Sequence, residues 1–393
     1  MTHTDIAIIG GGLVGASMAC ALAPLISRYG LDVTVIEPSP VQHGQPQSSF
    51  DDRSSAIAYG SRRCFESLGV WKGMQEKACP ITSIHVSQRG YLGVTRLSCR
   101  DTHTEALGYV IGNRWMGHVL HQRLAELPIS WRCPASVQRI VPEKEGHCLT
   151  LDDGSTLNAA LTVMADGGRS GLKGQLGIRD DVTPYEQYAL IANVTLSTPH
   201  QGVAYERFTS EGPIALLPLQ GRRMALVWTQ SLEGLTRTRA LSDAGFLEQL
   251  QRCFGDRVGR FVEVGQRMDY PLALRQAREQ TRPYLAMLGN AAHTLHPVAG
   301  QGFNLALRGV QDLTREIQQA LEQDEAIGSA SVMGRFDARR QQDRDQIIRF
   351  SDGLVRLFGV EHPLLAHARG LGLIGMNLFS PARRLLTRRA MGL

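Results

Sequence analysis

A near-continuous apolar run, Asp5-Ile6-Ala7-Ile8-Ile9, leads directly into Gly10-Gly11-Gly12-Leu13-Val14-Gly15, and a helix-compatible segment, 14–28, follows. That order is strand, turn, helix. Gly10 permits the tight turn, Gly12 lets backbone approach a pyrophosphate, and Gly15 lets the helix pack closely on the strand, with free N–H groups aimed at phosphate. Gly30 is placed to end the helix. A second apolar run, Asp32-Val33-Thr34-Val35-Ile36, delivers Glu37, whose carboxylate is suited to a ribose hydroxyl. The expected ligand is a dinucleotide, and this motif alone does not separate FAD from NAD. Gly370-Leu371-Gly372-Leu373-Ile374-Gly375 has the same glycine spacing but no strand-like run before it and too little chain after it for a second strand. It reads as small residues on a packed helix.

With 393 residues, 43% apolar and 20% charged, the chain suits a globular protein of two domains plus an extension. No run is long and apolar enough for a spanning helix. The first strand begins by residue 5, so no signal peptide is expected. Seven scattered cysteines without a C-x-x-C pair argue against a disulfide framework, a zinc site or an iron–sulfur site, and favour a reducing cytoplasm. From 346 to 393 there are seven arginines against Asp352 and Glu361, a surplus equal to the whole chain's net charge of +5. Apolar residues such as Leu354, Leu371, Ile374 and Phe379 alternate with those arginines. A basic amphipathic tail of this kind either lies on an acidic membrane surface or covers the protein's own core. Nucleic acid is not an expected partner, because the basic patches lack interleaved aromatics.

Two further stretches suit the same crevice. Leu161-Thr162-Val163-Met164-Ala165 is a buried-strand run ending in Asp166-Gly167, and Tyr284-Leu285-Ala286-Met287-Leu288 ends in Gly289-Asn290. The chain then runs through His293, His296 and Pro297 to Gly300-Gln301-Gly302-Phe303-Asn304, where a helix is expected from Phe303 to about Leu321. The N-terminus of such a helix carries free N–H groups and a partial positive charge, which suits the electron-rich edge of a reduced flavin. His293 and His296 could share a face and suggest a metal, but Pro297 disfavours helix there and no further ligand stands at metal spacing. No metal is expected.

Taken in order, these motifs resemble the class A flavoprotein aromatic hydroxylases and, within them, the ubiquinone-biosynthesis hydroxylases. The stretches Asp51 to Ala58, Glu206-Arg207-Phe208-Thr209, Leu217-Pro218-Leu219 and Gly289 to Pro297 carry the closer likeness. The resemblance implies an α/β fold of the 4-hydroxybenzoate hydroxylase type: a Rossmann-like FAD domain, a mostly antiparallel substrate domain and a C-terminal helical segment. The expected division is 1–180 and 275–345 for FAD, 181–274 for substrate with a contribution from 81–98, and 346–393 for the basic helices.

The resemblance also implies roles. Gly10, Gly12, Gly15 and Glu37 would hold the ADP half of FAD, and Asp166 and Gly167 would lie near the pyrophosphate. Gly289 and Asn290 would meet the ribityl chain, with Asn290 standing where an Asp is usual. Gly300, Gln301, Gly302 and Asn304 would lie at the isoalloxazine ring, with Arg53 and Asn113 touching the cofactor. Arg53, His296 and Pro297 are the candidate catalytic residues. From the residues alone Arg53 reads rather as a surface partner of Asp51 and Asp52, and either histidine could be structural. Departures from the family pattern fall at Lys173, Ala306 and Gly309. Trp228 and Phe208 are candidates to line the substrate cavity, although aromatics on strands are more often core.

The implied reaction is hydroxylation of a polyprenylated methoxyphenol para to its hydroxyl, in ubiquinone biosynthesis. It uses FAD, O2, and NAD(P)H or another electron donor. The reaction favours phenolate, so it calls for a general base or a positive pocket that the sequence does not identify. Each isoprene unit costs about 3 to 4 kcal/mol to place in water, at about 0.8 kcal/mol per CH2-sized group. The expected setting is therefore the inner membrane face on the cytoplasmic side, or a lipid-binding partner or multiprotein biosynthetic complex that delivers the substrate. The rivals are a sibling hydroxylase acting at another ring position and a flavin-binding scaffold subunit without catalysis.

Overall fold

The computed structural model describes residues 2–40, 53–359 and 363–393. Asp51 and Asp52, the alternative partners for Arg53, lie outside the described residues. Five parallel strands form the centre of the first sheet in the order Leu285–Met287, Thr156–Met164, Thr2–Ile9, Val33–Ile36, Ser130–Arg132. The central strands read as apolar runs because both faces are covered. Ile6 and Ile8 pack with Met18 of the first helix and with Leu307, Val310, Leu313 and Ile317 of the helix Gln301–Glu322. Ala7 and Ile9 face the opposite layer, with Leu149, Leu151, Ala291 and Ala292.

Register sets where a ligand can bind. Ile9 stands opposite both Met164 and Ile36, and Met164 opposite Met287, so four parallel strands end along one edge. The segments leaving that edge are Gly10–Gly12, Glu37, Ala165–Gly168 and Gly289–Asn290. Open parallel sheets bind ligands outside the carboxyl ends of their strands, and separated motifs converge here for that reason.

The second sheet runs His293–Thr294, Met268–Ala277, Asp180–Leu196, Arg223–Ser231, Pro213–Pro218, Val203–Phe208, Ser83–Gln88, Val94–Ser98. All its pairings are antiparallel except Val203–Phe208 with Ser83–Gln88. One face is a closed core: Leu190, Leu216, Leu226 and Trp228 pack with Phe246, Leu250 and Phe254 of the helix Asp243–Phe254. Trp228 meets the Phe246 ring edge-on at 5.8 Å. It therefore belongs to the covered face, and the expectation that it lines a cavity is corrected. The period of two along a strand puts Val227 and Trp228 on opposite faces.

The other face carries half-buried residues in one cross-strand row: Val86, Glu206, Ala215, Val227, Ile191 and Met268. Ala189 and Tyr270 pair in the next row of this face. Phe208 shares it and stacks on Phe358 at 3.7 Å.

One helix, Ala330–Gly359, runs unbroken through residues 345 and 346, followed by Pro363–Leu378 and Ser380–Ala390. The last two do pack on the protein: Thr95 Oγ1 donates to the Leu373 carbonyl at 2.7 Å, and Arg383 pairs with Asp101 at 3.0 Å. Gly370 lies against the 92–93 turn, where an added Cβ would sit 2.3 Å from the Leu92 carbonyl oxygen, whereas Gly372 and Gly375 face open space. No described helix is long and apolar enough to cross a membrane.

Candidate flavin site

The first turn is built by close approach. Gly10 has φ +101, and a Cβ there would lie 2.7 Å from the Ala165 carbonyl oxygen; one on Gly15 would lie 1.8 Å from the Gly10 oxygen. Side chains are excluded at both positions by backbone. Gly12, the N-cap of Leu13–Ala21, is different, since a Cβ added there meets nothing within 4 Å and no side chain caps the helix. Its backbone faces open space at the edge where the strands end.

Glu37 is buried, and its two oxygens have separate duties. Oε2 accepts the Gly11 N–H at 2.7 Å and Oε1 accepts the Ser39 N–H at 2.9 Å. A carboxylate retains acceptor capacity beyond two such bonds. Two residues that sequence reasoning missed complete this corner. Burial keeps His121 below the usual histidine range, hence neutral, and its Nε2 donates to the Gly11 carbonyl at 3.1 Å. The Trp131 ring closes the other side of Gly11, where a Cβ would come within 2.9 Å of it.

Asp166 folds its own loop, accepting from the Gly168 N–H at 3.1 Å and the Ser170 N–H at 2.9 Å. Gly167 and Gly168 both adopt positive φ, and Gly168 approaches the Asn290 carbonyl. Lys173, the departure from the family pattern, grips Asp180 at 2.6 Å and the Ala291 carbonyl at 3.1 Å. It ties the start of the second-sheet strand Asp180–Leu196 to the segment that follows Gly289-Asn290. Gly289, at φ +60, packs against Val14, which brings the exposed Asn290 beside the first helix.

The Gly300–Asn304 segment meets the strand Ser54–Ala58. Asn304 is buried and spends its amide on backbone: Oδ1 accepts from Ala58 N–H at 2.8 Å, and Nδ2 donates to the Ala56 and Gly300 carbonyls, each at 2.9 Å. It fixes the strand that Arg53 precedes. Gln301 is buried, while a Cβ on Gly302 would meet nothing within 4 Å. Ala306 is buried, and the space beside Gly309 is taken by Leu288 and the Arg340 guanidinium. Arg340 in turn pairs with Asp312 and Asp343.

Arg53 and Asn113 come together, the Arg53 carbonyl accepting the Asn113 N–H at 2.8 Å and the Asn113 Oδ1 accepting from Ser55 at 2.7 Å. The Arg53 guanidinium lies 5.1 Å from the Tyr270 ring centre. That contact joins the cofactor side to the inner face of the second sheet. His296 accepts the Val298 N–H at Nδ1 (3.1 Å) and meets Tyr185 edge-on at 5.0 Å. Burial lowers its pKa to about 4, so it is neutral with its proton on Nε2. His293, lowered to about 3 by burial and then by Arg340, is neutral as well. Pro297 is half-buried and leads into the turn Val298–Gly300. Among the described residues no three metal-ligating side chains cluster. A recess of about 650 Å³ lies elsewhere, on the covered side of the second sheet, lined by His85, Arg96, Tyr205, Arg257 and Asn377.

A Cβ on Gly12, which opens Leu13–Ala21, or on Gly302, in the first turn of Gln301–Glu322, meets nothing within 4 Å, and neither helix has a side-chain cap on its first N–H groups. A pyrophosphate and an electron-rich ring edge fit such a cradle.

Comparison with known proteins agrees. Residues 3–351 match the family model described as an FAD binding domain. The chain is 35% identical to the ubiquinone hydroxylase UbiL of Rhodospirillum rubrum, over 99% of this chain and 89% of that protein. It is 31% identical to the 3-demethoxyubiquinol 3-hydroxylase of Escherichia coli, over 99% of each. The human ubiquinone biosynthesis monooxygenase COQ6 is 28% identical, over 97% of this chain and 91% of that one. In fold it matches p-nitrophenol 4-monooxygenase PnpA of Pseudomonas putida with a TM-score of 0.80 at 16% identity, covering 100% and 99% of the two chains. The chain belongs to the FAD-binding-domain family, within its group of ubiquinone-pathway hydroxylases, and is an FAD-dependent aromatic hydroxylase.

Proposed function

We propose that the chain hydroxylates a polyprenylated phenol or methoxyphenol in ubiquinone biosynthesis, para to the hydroxyl. The observation that carries the pathway is similarity along 99% of the chain to two ubiquinone-pathway enzymes. The apolar inner row Ala215, Val227, Ile191 and Met268 suits an aromatic ring and its prenyl chain.

When bound, FAD accepts electrons from a nicotinamide-type donor and activates O2 for transfer to the ring. The chain's own part is positioning and exclusion of water. Gly10, Gly12, Gly15 and Glu37 hold the ADP half, and Asp166, Gly167, Gly289 and Asn290 line its middle. The N-terminus of Gln301–Glu322, with Gly300, Gln301 and Gly302, stabilises negative charge on the reduced ring. Asn304 acts through the strand it pins rather than on the ring. Arg53, steadied by Tyr270, stands between cofactor and substrate, and the neutral His296 with Pro297 shapes the turn beneath it.

A second reading is a different ring position, favoured by the Escherichia coli relative, whose name places the new hydroxyl at carbon 3. Mass spectrometry of quinone-pathway lipids in cells lacking the chain decides between them. Accumulation of a polyprenyl phenol unhydroxylated para to its hydroxyl, cleared by the intact chain but not by Arg53→Ala, supports the first reading. A different missing hydroxyl selects the second.

The substrate's insolubility calls for a surface. Leu371, Ile374 and Leu378 share one exposed helix face, next to exposed Phe379, Leu385, Arg384, Arg388 and Arg389. This patch docks the enzyme peripherally on an anionic membrane.

A further inference from the structure

The hydroxylation needs a group that takes the phenol's proton, and none of the residues at the glycine turns is placed to do so. His293 and His296 are buried at the cofactor loop, and Asp166 and Glu37 are committed to backbone N–H groups. The inner face of the second sheet holds one carboxylate of a different kind.

Glu206 lies on the strand Val203–Phe208, and alternation fixes which way it points. Its neighbours Tyr205 and Arg207 serve the covered side, Tyr205 packing on Phe254 at 5.7 Å and Arg207 reaching Ser87. Ala204 and Phe208, on the same side as Glu206, pack toward the FAD domain and the C-terminal helices: Ala204 with Val110 and Met391, Phe208 on Phe358. The residue as a whole is half-buried, yet its Oε1 is sealed from solvent and has no hydrogen-bond partner among the described residues. Leaving a carboxylate oxygen in that condition is costly, and native proteins accept it where the group has work to do. Its cross-strand neighbours are Val86 and Ala215. Ala215 is followed in the row by Val227, so the carboxylate stands at one end of a strip of small and medium apolar side chains on which a ring can lie. Among the described residues no charged partner holds it ionised; burial pushes its pKa up to about 7, near the value that serves a general base at neutral pH.

We propose that Glu206 is the general base of the hydroxylation, its carboxylate taking the proton of the substrate's phenolic hydroxyl; this rests on the reading of the substrate as a phenol. The O–H bond breaks with its electron pair staying on oxygen, and that pair makes the ring the nucleophile. One atom of O2 bonds to the ring as a hydroxyl and the other leaves as water, with two electrons and two protons supplied by the reduced flavin, one proton to the new hydroxyl and one to the water. The proton lost from the attacked ring carbon goes to the departing oxygen. As the ring regains aromaticity, Glu206 returns its own proton to the original phenolic oxygen.

The test uses the FAD-loaded protein in single turnover. Bound FAD is photoreduced under nitrogen with EDTA as the sacrificial electron donor, then mixed with oxygen and 2-farnesylphenol in detergent, and hydroxylated product and hydrogen peroxide are measured. The wild type is expected to couple oxygen to product. Glu206→Gln should keep its FAD and its rate of photoreduction, yet hydroxylate about 100-fold more slowly and release peroxide. Glu206→Asp should recover part of the rate. Ring-fluorinated 2-farnesylphenols, already ionised at the assay pH, should shrink the gap between wild type and Glu206→Gln. A gap equal for acidic and ordinary phenols, or no gap at all, overturns the assignment while leaving the function intact. A wild type that hydroxylates none of these phenols overturns the functional reading and this one together.

Discussion

Asn304 shows how much structure one amide can hold. Its three hydrogen bonds all go to backbone, and Asn304→Ala leaves the Ala58 N–H and the Ala56 carbonyl without their partner. At about 1–3 kcal/mol for a stranded buried group, a loss of about 2–4 kcal/mol is expected in urea unfolding, with weaker FAD retention in gel filtration. Buried histidines set a second residue-level expectation. His296 and His293 have folded pKa values lowered from 6.5 to about 4 and about 3, so below 6.5 the unfolded chain binds more protons than the folded one. Their contribution is complete above pH 6.5 and is lost as the pH falls toward 4. Melting temperature should drop over that window, and His296→Phe should flatten the drop. The glycines and Glu37 were legible in the sequence because their duties are local to one strand–turn–helix. Asn304 stood out in the sequence as the polar end of the Gly300–Asn304 segment but its partners did not, since the strand it pins lies 246 residues away along the chain. His121 and Trp131 carried no signal at all, being brought to Gly11 by a separate helix and the last strand of the sheet.

Among the elements, the strand Arg223–Ser231 carries the clearest contrast, because two adjacent residues face different worlds. Trp228→Ala opens a hole in the covered core and should cost about 3–5 kcal/mol of stability. Val227→Trp, on the inner face, should leave melting and FAD content near wild type while raising KM or abolishing turnover. Equal loss of stability in both variants would contradict the two-faced sheet. Sequence alternation showed that this strand has two faces but not which of them is covered, because parity is fixed only once helix Asp243–Phe254 is seen lying on one side. The match of Gly370, Gly372 and Gly375 to a nucleotide-binding spacing shows the converse lesson: where no parallel strand precedes them, only Gly370 is held to close packing, against the Leu92 carbonyl.

For the whole molecule, the tail divides its arginines between two tasks. Arg369 is buried, bonding Gln88 and the Leu357 carbonyl, and Arg383 pairs with Asp101. Arg384, Arg388 and Arg389 are exposed. The triple variant Arg384→Glu, Arg388→Glu, Arg389→Glu should bind anionic vesicles at least tenfold more weakly in flotation, at about 1 kcal/mol per basic residue, with FAD content unchanged. Arg383→Glu should instead lower the melting temperature. Retention of anionic-vesicle binding by the triple variant would remove the membrane-docking reading. Charge count alone located the basic tail, but it could not divide these arginines, since their partners at 88 and 101 lie far back in the chain.

Gly60 donates its N–H to the Met391 carbonyl at 2.8 Å, and a Cβ on Gly60 would come within 2.5 Å of the Gly392 oxygen. The last helix is thus buckled onto the helix Tyr59–Ser67, which continues directly from the strand that Arg53 precedes and Asn304 pins. A pull on Ser380–Ala390 therefore reaches that strand through two backbone contacts, so under the proposed docking the docking helix and the strand beside the proposed flavin site share one line of force.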